Sequence, residues 1–217
     1  MNPKKLFARI VTIIMLGALF APAHAFPGDD AESLLKQIEK KYDGIKDASV
    51  TFTRQIVFGV TKAEHSFSGK LLMKKGNKYR IELEDETIVT DGKSVWRFTK
   101  SYNQVFIDKY KEGPQSFSPD KILVDVPRHY SVSLLGEEKV QGQETSILKL
   151  IPVDPRSSVQ WMKVWVDSDR LMKKIQVFDL SDNLATYLID TIKINTGLDD
   201  SPFTFPVPDG VEIIDVR

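Results

Sequence analysis

The chain contains no cysteine. That excludes disulfides, thiolate metal sites, thiol nucleophiles and a lipid attached to an N-terminal cysteine. Histidine is scarce: His24, His65 and His129 stand alone in the sequence, and lone histidines in polar stretches read as surface residues rather than ligands. No G-x-S-x-G, H-E-x-x-H, phosphate loop or G-x-G-x-x-G occurs, so no catalytic constellation or cofactor motif is offered and no metal site is expected. Charge of one sign is also missing, with 30 basic residues against 30 acidic ones. Nucleic-acid binding, which needs a basic excess gathered on one face, is not expected. Beyond the first 25 residues no apolar run is long enough to span a bilayer, so stable membrane insertion is not expected either. There is no internal repeat and no low-complexity linker.

What is present begins with a leader. Lys4, Lys5 and Arg9 precede the apolar run Ile10 to Ala21, and Ala23-His24-Ala25 follows as an A-x-A cleavage site. This is the layout of a signal peptide over residues 1–25, too short to stay in the bilayer as an anchor. Its removal leaves residues 26–217 with an excess of three acidic side chains. At 217 residues, 41% hydrophobic and 28% charged, the remainder fits one domain. An exported, disulfide-free monomer, placed in a bacterial periplasm, is the expectation.

Strand signals dominate the rest. In Lys78-Tyr-Arg-Ile-Glu-Leu83 the apolar Tyr79, Ile81 and Leu83 alternate with Lys78, Arg80 and Glu82, the period of a strand with one dry face. The turn Lys74-Lys-Gly-Asn77 precedes it and the hairpin dipeptide Asp91-Gly92 follows. Phe67 to Ile107 thus reads as a meander, with Ala48 to Phe58 as the strand before it. In Val159 to Val166, Trp161 and Trp165 share one face while Met162, Val164 and Val166 share the other. One long helix is expected over Asp29 to Asp43, its stripe formed by Leu34, Leu35, Ile38, Tyr42 and Ile45. A shorter one, Asp120 to Val126, carries Ile122, Leu123 and Val126 on one side. A sheet of this size exposes edges and curls. The fold expected is mainly β with some α: an incomplete, half-closed antiparallel β-barrel of about 10–11 strands, its open side stopped by a helical lid.

Glu82, Glu84, Asp85 and Glu86 crowd one bend, where a solvated turn is the plain reading and calcium the less common one. The large apolar side chains of the sheet are open to two readings, a closed core or the lining of a cavity only partly plugged by the helices. Pattern alone favours the closed core.

Several stretches together resemble the LolA family of periplasmic outer-membrane lipoprotein carriers. They are Phe52-Thr-Arg-Gln55, Phe67-Ser-Gly69, Lys74-Lys75 at a hairpin, Asp91, Gly92 and Trp96 as D-G-x-x-x-W, and Phe203, Phe205, Pro208, Gly210 and Val211 near the end. The resemblance implies an incomplete barrel whose helices lid an apolar cavity, with no chemical step and no cofactor. It also implies partners: triacylated lipoproteins accepted from the inner-membrane LolCDE transporter and handed to the outer-membrane receptor LolB. LolB itself shares the fold but is anchored through an acylated cysteine, which this chain lacks. Walls of the cavity would be Phe52, Leu71, Met73, Tyr79, Ile81, Trp96 and Phe98, and lid contacts Leu34, Ile38, Ile122, Leu123 and Val126. Which strand face points inward rests on parity, and a slip of one residue swaps every assignment. In the family an arginine followed by proline latches the lid; Lys75-Gly76 stand there in this chain, with Arg54 and Arg80 as nearby alternatives. A rival reading is a lipid-binding sensor of the RseB type, a regulator of envelope stress.

Overall fold

The computed structural model describes residues 28–111 and 130–217. The signal peptide and the short helix at Asp120 to Val126 therefore lie outside the described residues. Helix α1 (Gly28–Asp43) leads into β1 (Asp47–Val57), β2 (Glu64–Lys74), β3 (Lys78–Glu82), β4 (Glu86–Asp91), β5 (Ser94–Thr99) and β6 (Gln104–Lys109). Then come β7 (Tyr130–Val140), β8 (Gln143–Pro152), β9 (Val159–Val166), β10 (Met172–Asp179) and β11 (Leu184–Ile194). A 3-10 turn (Ser201–Phe203) and β12 (Glu212–Asp215) finish the chain.

All twelve described strands join one sheet in the order β12-β6-β5-β4-β3-β2-β1-β11-β10-β9-β8-β7. Two meanders, β1 to β6 and β7 to β11, meet where β1 pairs antiparallel with β11. The terminal strand β12 lies parallel to β6. Because β12 and β7 are edges, the barrel stays incomplete, as expected. The described strands number one more than the upper end of the expected ten or eleven, and within each meander the connections run from two residues, as at Gln141-Gly142 between β7 and β8, to six between β1 and β2. The β2–β3 turn uses left-handed Gly76 (φ 94°) and Asn77 (φ 60°). The β4–β5 turn packs on it so closely that a side chain at Gly92 would collide with the Gly76 carbonyl.

The period of two gives the sheet an inner face. Val50, Leu71, Ile81 and Ile88 line up across β1 to β4, and Tyr187, Ile175, Val164 and Leu148 across β11 to β8. Against this face α1 buries Ala31, Ile38 and Tyr42, with Ile45 just beyond its end. The stripe read from spacing is the packed one, with Leu34 and Leu35 half-buried at its margin. Tyr42 accepts a hydrogen bond at its hydroxyl from the Met172 N–H, 3.1 Å. Burial pushes that hydroxyl up to about 12, which keeps it protonated.

A second, smaller core sits on the outer face of β3 to β6. Val89, Val105 and Ile107 are buried there, and the 3-10 turn, which packs against β3 and β4, sets down Phe203, only 1% exposed. Phe205 extends the cover onto Phe98, ring centroids 5.7 Å apart. Polar ties hold this C-terminal strap. Asp200 bridges Lys74 (2.7 Å) and Lys78 (2.8 Å), and Asp47 accepts from Thr196 N, Thr196 Oγ1 and Gly197 N.

Truncating Phe203→Ala opens a cavity under the strap and should cost about 3–5 kcal/mol in urea unfolding. Hydrogen bonds from Lys74 and then Lys78 hold the Asp200 carboxyl down to about 2. A carboxyl depressed on folding stabilises above its ordinary value of 3.8 and stops doing so as pH falls towards about 2. Stability should therefore drop through that acid window, and less steeply in Asp200→Asn, when thermal unfolding is followed against pH.

Candidate functional site

Phe52, Leu71, Met73 and Ile81 are buried together on the inner face, and Tyr79 packs half-buried against them. Cross-strand pairing explains the cluster, since Leu71 stands opposite Ile81 and Met73 opposite Tyr79, with side chains of directly opposed residues on one face. Phe52 stands opposite Gly69, and its ring occupies the space a Cβ there would need. The absence of that side chain lets an aromatic ring lie flat on the sheet. The same ring meets Tyr187 at 6.1 Å, tilted by 53°. From α1, Ile38 is buried in this cluster and Leu34 touches it from the margin.

Trp96 and Phe98 are not part of it. Trp96 pairs with Val89 and Ile107, and Phe98 with Thr87 and Val105, all on the outer face. The hairpin at Asp91-Gly92 sets this register: Thr90 faces Val95, so the inner positions of β5 are Val95 and Arg97. Asp91 Oδ1 accepts from the Lys93 and Ser94 N–H groups at 2.8 Å each and fixes the turn. Side-chain size suggested the inside, and register decided otherwise. Ile122, Leu123 and Val126 lie outside the described residues.

Lys75, the residue standing where the family carries its latch, lies beside the end of α1. Its Nζ donates to the Asp43 carbonyl at 2.8 Å, and its N–H donates to the Lys46 carbonyl at 2.9 Å. A cation there meets the negative end of the helix dipole and one of its orphan carbonyls. Arg170 Nε adds a bond to Gln37 Oε1, 2.9 Å. Of the alternatives, Arg80 pairs with Glu82 at 2.6 Å on the outer face. Arg54 does face inward, as the alternation Val50, Phe52, Arg54 requires, but seven residues along β1 from its Asp47 end. The crowded carboxylates do local work: Asp85 accepts from Ser101 N (2.8 Å) and Ser101 Oγ (2.7 Å). Among the described residues no helix is long and apolar enough to cross a membrane.

A large open sheet whose apolar inner face packs against the described helix α1, itself tied at its C-terminal end to a hairpin, defines a class of fold. The family model described as outer membrane lipoprotein carrier protein LolA matches residues 43–206, and the chain belongs to that family. The match runs from the last residue of α1 to just beyond Phe205. An outer-membrane lipoprotein carrier protein of Histophilus somni is 25% identical over 187 residues, covering 84% of this chain and 88% of that one. An uncharacterized protein of Methanocaldococcus jannaschii is 26% identical over 190 residues, 85% of this chain. The chain spans 54% of that relative's length. The crystal structure of an uncharacterized conserved protein from Thermus thermophilus superposes with a TM-score of 0.58 at 13% identity, covering 85% and 98% of the two chains. That last likeness is one of fold.

Lys75→Met should speed amide exchange in the last turn of α1 while changing global stability by less than about 1 kcal/mol, since the lysine is exposed. Gly69→Ala should displace the Phe52 ring at a cost of about 1–3 kcal/mol, visible as shifted aromatic resonances of Phe52 and Tyr187.

Proposed function

We propose that this protein carries triacylated lipoproteins across the periplasm, reached through the signal peptide, taking them from LolCDE and delivering them to LolB without a chemical step. The observation that carries the reading is the continuous apolar inner face against which the described helix α1 packs, in a chain of the LolA family. Phe52, Leu71, Met73, Tyr79 and Ile81 supply the wall for acyl chains. Leu34 and Ile38 supply the lid, joined by Ile122, Leu123 and Val126, and Lys75 is its latch.

The energetics suit reversible loading. Each methylene kept from water contributes about 0.8 kcal/mol, so exposing a whole acyl chain would cost on the order of 10 kcal/mol. An acyl chain that takes the place of α1 on the wall displaces apolar side chains of the helix from it. Apolar contact is then exchanged for apolar contact, and net affinity is the difference between two similar burials. Ties that resist displacement include Lys75 to Asp43, Arg170 to Gln37, and Met172 to Tyr42. Each is a single hydrogen bond of modest net worth, about 0.5–1.5 kcal/mol. A loaded helix can therefore be lifted and laid down again.

The test is release of radiolabelled lipoprotein from spheroplasts, with mass spectrometry of the protein purified from periplasm without detergent. Lipoprotein should appear in the supernatant in stoichiometric complex with this protein. Acyl-chain binding without any release would point to the sensor reading instead, and an empty protein that releases nothing would overturn both.

A further inference from the structure

We propose that Arg54 is an anion-recognition residue set into the apolar inner face, placed to receive the carboxylate or phosphate head of a single acyl amphiphile. The proposal rests on the acyl-binding reading above and adds a cargo that it does not require, because a triacylated cysteine presents esters and an amide at its acyl attachments rather than an oxyanion.

The arginines divide sharply by partner. Arg80, Arg97, Arg156 and Arg217 each hold a carboxylate, and Arg170 holds Gln37. Arg54 alone among the described arginines makes no ion pair or hydrogen bond to a described residue. Its Nε is wholly buried with no acceptor in reach. Its guanidinium instead lies over two rings, 5.3 Å from the Phe67 centroid and 5.2 Å from that of Tyr187. Both are its direct cross-strand neighbours, on β2 and β11. Ring faces hold a guanidinium in place and attract its charge, but a ring face does not replace an acceptor for the buried Nε–H.

The Nε–H is a buried donor left without a partner, and an unmet buried donor costs more than a formed bond returns. The arrangement makes physical sense when an acceptor arrives from outside, and the residue keeps part of its surface open to receive one. A planar fork pinned between two rings suits the two oxygens of a carboxylate or phosphate. The surroundings select for a tail. Along β1 the inner positions after Arg54 are Phe52, Val50 and Ala48, all buried, and they extend the apolar track by about 20 Å towards the C-terminal end of α1. A head held at Arg54 lays its chain along that track.

Displacement of N-phenyl-1-naphthylamine, a neutral apolar dye, from the full chain reads binding. The competitors are dodecanoate, dodecyl phosphate and uncharged dodecyl maltoside, each below its micelle-forming concentration, with inorganic phosphate as the tail-free control. One charge-assisted hydrogen bond corresponds to about tenfold in affinity. The anionic amphiphiles should bind at least about tenfold more tightly than the maltoside. In Arg54→Met that preference should vanish with maltoside affinity kept, and Arg54→Lys should retain part of it. The tighter of the two anions separates a fatty-acid head from a phospholipid head. Equal ratios in wild type and Arg54→Met, in proteins with matching thermal unfolding, overturn the proposal and leave the acyl-binding reading standing. So does inorganic phosphate that competes as well as dodecyl phosphate. Failure of the dye and of every amphiphile to bind overturns both.

Discussion

An open sheet of twelve strands has two faces to keep from water, and covering them is the constraint on which the rest of this structure depends. The inner face carries the longer apolar rows, and the described helix α1 lies against it. On the outer face under β3 to β6 the chain's own C-terminal segment lies down with Phe203 and Phe205. Elsewhere the outer side manages its aromatics with polar partners. Trp165 donates from its indole N–H to Glu138 at 2.8 Å, and Lys174 sits over its ring at 4.2 Å.

The two covers are held differently. The outer strap is fixed by Asp200 on two lysines, by three hydrogen bonds into Asp47 and by a strand paired with β6. On the inner side, α1 leans on apolar contact and single hydrogen bonds near its C-terminal end. One cover is part of the sheet's architecture and the other rests upon it, an asymmetry that suits a face whose covering has to be exchanged.

Much of this was legible in the residues. Alternation in Lys78 to Leu83 marked a half-buried strand, the stripe from Leu34 to Ile45 marked the buried side of α1, and Asp91-Gly92 marked a hairpin. Parity across hairpins was less legible. Tyr79 and Ile81 fall inward and Trp96 and Phe98 outward, because the register of each turn is a local property that side-chain size does not report. The strap hid Phe98 a second way, by giving a large outward aromatic a partner in Phe205. Arg54 shows the opposite case. Its parity with Val50 and Phe52 placed it inside, but its charge argued for water, and only the rings on the flanking strands explain how it stays.

The pairing of β1 with β11 joins residues as far apart as Ala48 and Ile194. Until β11 has been made, the first meander has no neighbour on its β1 side, and the β2–β6 side still lacks the strap and β12. Non-local closure of this kind is slow and leaves strand edges unpaired meanwhile. A growing chain cannot finish either cover early, since the last twenty or so residues complete the outer one. The local hairpins of each meander can pair as they are made, but closure of the sheet and of its outer cover waits on the C-terminal segments.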